Sequence, residues 1–188
     1  QYIKERDKKP GNVFIGLPHR IDRPTSGIVV LSKTSKSLSR MTKIFKERSV
    51  KKIYWAIVKN KLHKDQATLI NFLKKNQIKN KSFASKYEKN GFLKSELNYQ
   101  LRKKLDSYYL YEVELVTGRH HQIRAQFSYA GSPIKGDIKY GAKRSNKNGS
   151  IHLHSRNIEF NHPVNDKKIN ITASPPKKDV IWRNCIKN

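Results

Sequence analysis

The sequence predicts an α+β fold: a long, mainly antiparallel sheet with few helices. Two runs, "VKKIYWAIV" (Val50–Val58) and "YYLYEVELV" (108–116), are dense in aromatic and β-branched residues, which suit a pleated, half-buried surface. A Lys- and Asn-rich stretch between them, 59–106, carries short strand-like pieces such as "FASKYEK" and "KSELNYQLRKK" and reads as a meander with basic turns. Apolar residues at helical spacing are confined to short segments.

Taken in order, residues 1–12 are polar and end in Pro10-Gly11, a loop or turn. "NVFIGLPHRID" leads through a Pro24–Gly27 turn into "GIVVLSK", an apolar run expected to form a buried strand. Thr34 or Ser35 can cap a helix reaching about residue 47, with Leu38, Met41 and Phe45 on one face. After the meander and the 108–116 strand, Gly118 punctuates the chain. "HHQIRAQFSYAG" then predicts a short helix with Ile123, Phe127 and Ala130 on one side and Gly131 as its stop. A basic loop covers 143–150, "SIHLHSRNIEF" and "KINITAS" supply two further strands, and "PPKKDVIW" ends them with a short helical piece. A chain of 188 residues suffices for one domain, expected to span 1–188.

Charge narrows the partner. Lys and Arg number 41 against 14 Asp and Glu, a formal net charge of +27, which asks for a polyanion rather than for solubility alone. Nucleic acid suits the scattered basic residues better than a membrane, because no apolar run approaches the roughly 20 residues of a spanning helix. A single cysteine, Cys185, excludes an intrachain disulfide and any Cys-based zinc site, in keeping with a reducing, cytoplasmic compartment. The opening "QYIKERDKKPG" lacks the apolar core of a signal peptide and an initiator Met, so a fragment or processed chain is expected.

Within this basic chain, "HRIDRPTSG" places Asp22 between Arg20 and Arg23. Neighbouring positive charge favours the ionised carboxylate. Two roles remain open: an acceptor for the amides of the Thr25-Ser26-Gly27 turn, which is the common task of a loop aspartate, or a nucleophile toward an anomeric carbon. "VTGRHHQIRAQF" offers a Gly-Arg turn at a helix start, whose amides and guanidinium suit a phosphate. A helix beginning between Arg119 and Arg124 would leave Arg119 at the mouth and send Arg124 inward, where it could pair with Asp22. Tyr54 is either packing or a ring on which a base stacks. His152 and His154 share a strand face, but His-x-His alone is weak support for a metal, and no metal site is expected.

Four blocks, "HRIDRPTSGIVVLSKT", "KKIYWAIV", "TGRHHQIRAQFSYAGSPIKGDIKYG" and "LHSRNIEFNHPV…ASPP", resemble in order and spacing the RNA pseudouridine synthases of the RluA type, from about residue 11 to the C-terminal end. The resemblance implies a long, mostly antiparallel mixed sheet flanked by helices, with a central RNA-binding cleft. It implies an isomerase that breaks the N-glycosidic bond of a uridine in ribosomal or transfer RNA, turns the uracil and joins C5 to C1′, with no cofactor. Asp22 then matches the catalytic aspartate, Tyr54 the tyrosine against the target base, and Arg124 the arginine paired with the aspartate. Arg20 matches the residue filling the vacated stack, Arg119 and His121 are expected to contact RNA, and Ile134 aligns with an apolar pocket position. An RNA-modifying protein that acts as a monomer is expected. Two positions depart from the pattern: His120, where a hydroxyl residue is usual, and Ser132, where His is frequent. An upstream Lys-Pro-x-Gly block is expected to be missing, which leaves an accessory S4-type domain open. A non-catalytic RNA-binding or ribosome-associated module of the same fold is the alternative, against which the intact Asp22, Tyr54 and Arg124 argue. A nucleic-acid glycosylase would be told apart by release of free uracil.

Overall fold

The computed structural model describes residues 1–8 and 10–186. Among them the chain forms α1 (Tyr2–Arg6), β1 (Ser26–Gly27), α2 (Ser35–Lys46), β2 (Val50–Val58), β3 (Gln66–Asn76), β4 (Lys81–Ser85), β5 (Leu93–Lys104), β6 (Tyr109–Leu115), α3 (Gln122–Tyr129), a 3₁₀ turn (Ile138–Tyr140), β7 (Leu153–Asn161), β8 (Lys168–Thr172) and α4 (Val180–Ile186). No helix among the described residues is long and apolar enough to cross a membrane.

One mixed sheet holds the strands in the order β1-β7-β2-β6-β5-β3-β4, with β8 also pairing β7. Every pairing is antiparallel except β1 with β7, so the α+β expectation with a mostly antiparallel sheet holds. β2 is central, and its period of two sorts side chains cleanly. Tyr54, Ala56 and Val58 join Leu97, Tyr99, Tyr111 and Val113 under Ile123 and Phe127 of α3. Ile57 faces the other way, toward Trp182 and Cys185 of α4. α3 is buried almost all round, from Gln122 to Phe127, which explains why its apolar stripe is faint in the sequence.

The region 59–106 resolves into a true meander, in which β3 is one eleven-residue strand and "FASKYEK" contributes only its first part, through Ser85. "GIVVLSK" differs from expectation. Only Ser26 and Gly27 form a strand, and the rest is extended chain with Ile28 buried but Val29 and Leu31 exposed, because this segment lies at the sheet margin and is covered on one side alone. Ala130, expected on the buried side of α3, is instead its exposed C-cap, and Gly131 follows with φ +79°. Thr34 caps α2 with the Ser37 amide and hydroxyl completing a reciprocal box, as its position predicts.

Candidate active site

Three segments far apart in sequence meet at the α3 side of the sheet. Asp22 lies on the loop before β1, held by a turn in which the Thr25 amide donates to its backbone oxygen at 2.8 Å. Tyr54 comes from the middle of β2 and is 8 % exposed. Arg124 is aimed by α3, whose start is fixed by Gln122. Its Oε1 accepts from the Thr117 hydroxyl (2.7 Å) and the Arg119 amide (2.9 Å), while its Nε2 donates to the Glu96 carbonyl (3.0 Å). The Arg119 amide is therefore spent inside the fold rather than free for a phosphate, a correction to the sequence reading.

Arg124 donates through Nη1 to Asp22 Oδ2 at 3.2 Å. Its stronger partner is Asp137, which takes Nε at 2.6 Å and Nη2 at 2.8 Å as a two-toothed, nearly dry pair. Burial works against the Arg124 charge, yet the Asp137 bonds and the Asp22 charge outweigh it and raise its pKa. Asp22, more open to solvent, is thus the exposed end of an Asp137–Arg124–Asp22 chain. The turn-anchor role weighed for its carboxylate is replaced by this ion pair.

His121 sits at the N-terminus of α3 in the left-handed region, φ +52°. Tyr140 Oη accepts the Ser82 amide at 2.7 Å and lies 2.9 Å from His121 Nδ1; the tautomer in which the phenol donates to Nδ1 places the ring proton on Nε2, 3.7 Å from Asp22 Oδ1. Burial, then Arg124, lowers the His121 pKa to about 3. The imidazole is neutral beside the carboxylate. Burial also pushes the Tyr54 phenol up, opposed by its bond to Ser155 and reinforced by Asp22, and it holds His19 at about 4 while His19 Nε2 accepts the Val30 amide.

Asp22, Tyr54 and Arg124 line one cavity of about 440 Å³. Arg20 stands exposed at its wall, and Arg119 and His121 line it as well. Ile134 does not: it is fully buried in the core and bridges Val58, so the structure assigns it to packing rather than to the cavity wall. His152 and His154 are pinned separately, the first between Asp179 and Asn146, the second between Ser26 and the Ala173 carbonyl. Asp137 and Tyr140 are the participants that sequence reading missed. Both stand in "SPIKGDIKYG", quoted above for its resemblance, where no spacing reveals that Asp137 turns inward.

A carboxylate braced by a buried guanidinium thus stands on the wall of a cavity rich in cations. The family model described as RNA pseudouridylate synthase matches residues 1–129, and the chain belongs to that family. It is 37 % identical over 175 residues to the ribosomal large subunit pseudouridine synthase C of Buchnera aphidicola subsp. Acyrthosiphon pisum, covering 89 % of this chain and 55 % of the relative. The enzyme of the same name from Vibrio parahaemolyticus is 34 % identical over 180 residues, covering 92 % and 56 %. The chain spans about half the length of these curated relatives. Among solved structures, human RNA pseudouridylate synthase domain containing 4 superposes with a TM-score of 0.75 at 22 % identity, covering 92 % of this chain and 76 % of that one. Human RNA pseudouridylate synthase domain containing 1 gives 0.74 at 20 %, covering 97 % and 76 %. These two carry the fold.

Proposed function

We propose that this chain isomerises a uridine in RNA to pseudouridine, and that large-subunit ribosomal RNA, named in its relatives, is the substrate class. The observation that carries the reading is the Asp137–Arg124–Asp22 chain, which presents a carboxylate to a cavity beside Tyr54. Asp22 attacks C1′ as the N1–C1′ bond breaks, or otherwise promotes that cleavage. The uracil then turns, C5 bonds to C1′ and releases the Asp22 carboxylate from it wherever the two had bonded, the C5 proton leaves and N1 takes one, so the product is an isomer with no net oxidation or reduction. Tyr54 packs on the base. Burial keeps its phenol protonated, which suits a hydrogen-bond donor better than a base at neutral pH. Arg20 at the mouth offers its guanidinium plane to the gap left by the extruded base, offsetting part of an unstacking cost of a few kcal/mol.

The test incubates the protein and its Asp22→Asn variant with RNA lacking pseudouridine and maps carbodiimide-dependent reverse-transcriptase stops. Stops with the wild type alone are expected. Turnover by Asp22→Asn refutes the assigned role, free uracil indicates a glycosylase, and RNA binding without stops indicates a non-catalytic module.

A further inference from the structure

The cavity carries more positive charge than its own acid balances. Asp22 is the one carboxylate among its described lining residues, and it is already engaged by Arg124. Away from that pair, Lys52 and Arg48 reach the same cavity. Lys52 lies two residues before Tyr54 on β2 and therefore on the same face, about 6.8 Å along the strand at an antiparallel rise of about 3.4 Å per residue. Its side chain is partly buried, and burial followed by the Arg48 charge lowers its pKa. Its neighbour Lys51, on the opposite face, pairs with Glu114 at 3.6 Å. Among the described residues no carboxylate does the same for Lys52 or Arg48.

Arg48 is costly for a different reason. The Arg48 amide bonds to the Phe45 carbonyl (3.3 Å) and the Ser49 amide to the Ile44 carbonyl (3.0 Å), the paired bonds of a helix stop whose left-handed residue is usually glycine. Here that residue is Arg48, at φ +61°, a conformation that disfavours any side chain. Gly118 completes the corner from across the cavity. A β-carbon built on it would lie 3.3 Å from the Lys52 ammonium, so the absence of a side chain there leaves the cation room for a ligand.

Stability alone would select a neutral residue at 52 and glycine at 48. We propose that Lys52, Arg48 and the open backbone at Gly118 form a phosphate-binding corner of the cavity, which takes a phosphodiester group next to the nucleotide seated at Tyr54 and Asp22. A neutral base carbonyl could accept one hydrogen bond from Lys52 but would leave two neighbouring cations in repulsion. An anion with several acceptor oxygens relieves both. The identity of that nucleotide rests on the uridine-isomerase reading; the phosphate chemistry does not.

The experiment measures binding of in vitro transcribed large-subunit ribosomal RNA across a salt series, all in the Asp22→Asn background so that turnover plays no part. Lys52→Met, Arg48→Gly and Lys52→Arg are compared. Lys52→Met and Arg48→Gly are each expected to weaken binding several-fold and to flatten the dependence of log K on log salt by about 0.7–0.9, the release of counterions from one phosphate. Lys52→Arg is expected to keep the slope. The urea midpoints of Lys52→Met and Arg48→Gly should be unchanged or raised. Affinity lost without a change of slope means a base contact and overturns the proposal, as does an unchanged affinity. Lowered midpoints for both variants would mean that the cations serve the fold, which also overturns it. Failure of the wild type to form pseudouridine, with these slope changes intact, refutes the isomerase reading and leaves the phosphate corner standing.

Discussion

Asp22 and Asp137 hold the same guanidinium, yet they should behave oppositely when neutralised. The Arg124 side chain is 5 % exposed and Asp137 is 1 % exposed, whereas Asp22 is 26 % exposed. Asp137→Asn keeps the shape but replaces one acceptor oxygen with a donor, and so turns an N–H toward the guanidinium that used to meet an oxygen at 2.6 or 2.8 Å. Breaking a buried pair from one side costs about 3–5 kcal/mol, because the surviving charge is left uncompensated. Set against a total stability of about 5–15 kcal/mol and a urea slope of about 2 kcal/mol/M, that predicts a midpoint lowered by about 1.5–2.5 M. Asp22→Asn leaves Arg124 with its better partner and should change stability by no more than about 1 kcal/mol, or about 0.5 M. Activity should rank the other way: no pseudouridine with Asp22→Asn, and residual turnover with Asp137→Asn under conditions where it is folded. Urea titration by tryptophan fluorescence and single-turnover assays read both quantities. Equal losses of stability in the two variants would refute the division into a buried brace and an exposed working end.

Acidification should destabilise the protein before its carboxylates titrate. His19 and His121 have folded pKa values near 4 and 3 against about 6.5 unfolded, so the unfolded chain binds more protons below about 6.5. Stability is full above that pH and falls as pH drops toward the folded values; a urea midpoint that does not fall between pH 7 and 5 would contradict the neutral, buried rings. Gly27→Ala should lose more than about 1 kcal/mol, because φ is +115° there and the new β-carbon would sit 2.3 Å from the Ser155 carbonyl oxygen, parting β1 from β7; an unchanged thermal midpoint would count against that pairing. Tyr140→Phe removes the donor that holds His121 Nδ1 and should lower the single-turnover rate by about tenfold, or about 1.4 kcal/mol, with RNA affinity kept; nitrogen NMR showing the His121 proton on Nδ1 in the wild type would refute the assigned tautomer.

The legible parts of the fold are those where local pattern and tertiary context agree. β2 is read to the residue from its aromatic and β-branched content, and α2 from its cap and its Leu38, Met41, Phe45 stripe. β1 was unreadable as a two-residue parallel strand because its only reason to exist is the backbone of Ser155 and His154, reached from 128 residues away. α3 was legible as a helix from Ile123, Phe127 and the Gly131 stop, but not as a helix buried all round. Polar Gln122, Arg124 and Gln126 are all buried, and polar residues read in sequence as a solvent face when nothing local shows the hydrogen bonds that hide them. In the site, Asp22, Tyr54 and Arg124 were legible as a group only through the resemblance, and their convergence in one cavity is a geometric fact that neither charge nor spacing contains. Asp137 was hidden because a buried carboxylate and a loop carboxylate look alike in sequence.

The two kinds of charge at this site follow different rules. Arg124 is buried with a bidentate acid, the arrangement that makes an interior cation tolerable, and its second acid is left partly wet. Lys52, partly buried, has no such compensation, and the exposed Arg48 beside it is held in an unfavourable backbone conformation. A chain with 41 basic residues could place exposed lysines anywhere at little cost, so the mere excess does not say where a ligand's charge would sit. Location carries the sharper information. A cation kept where the fold alone would discard it marks where the ligand's charge has to be, and on β2 that place is one pleat away from the tyrosine beside the carboxylate.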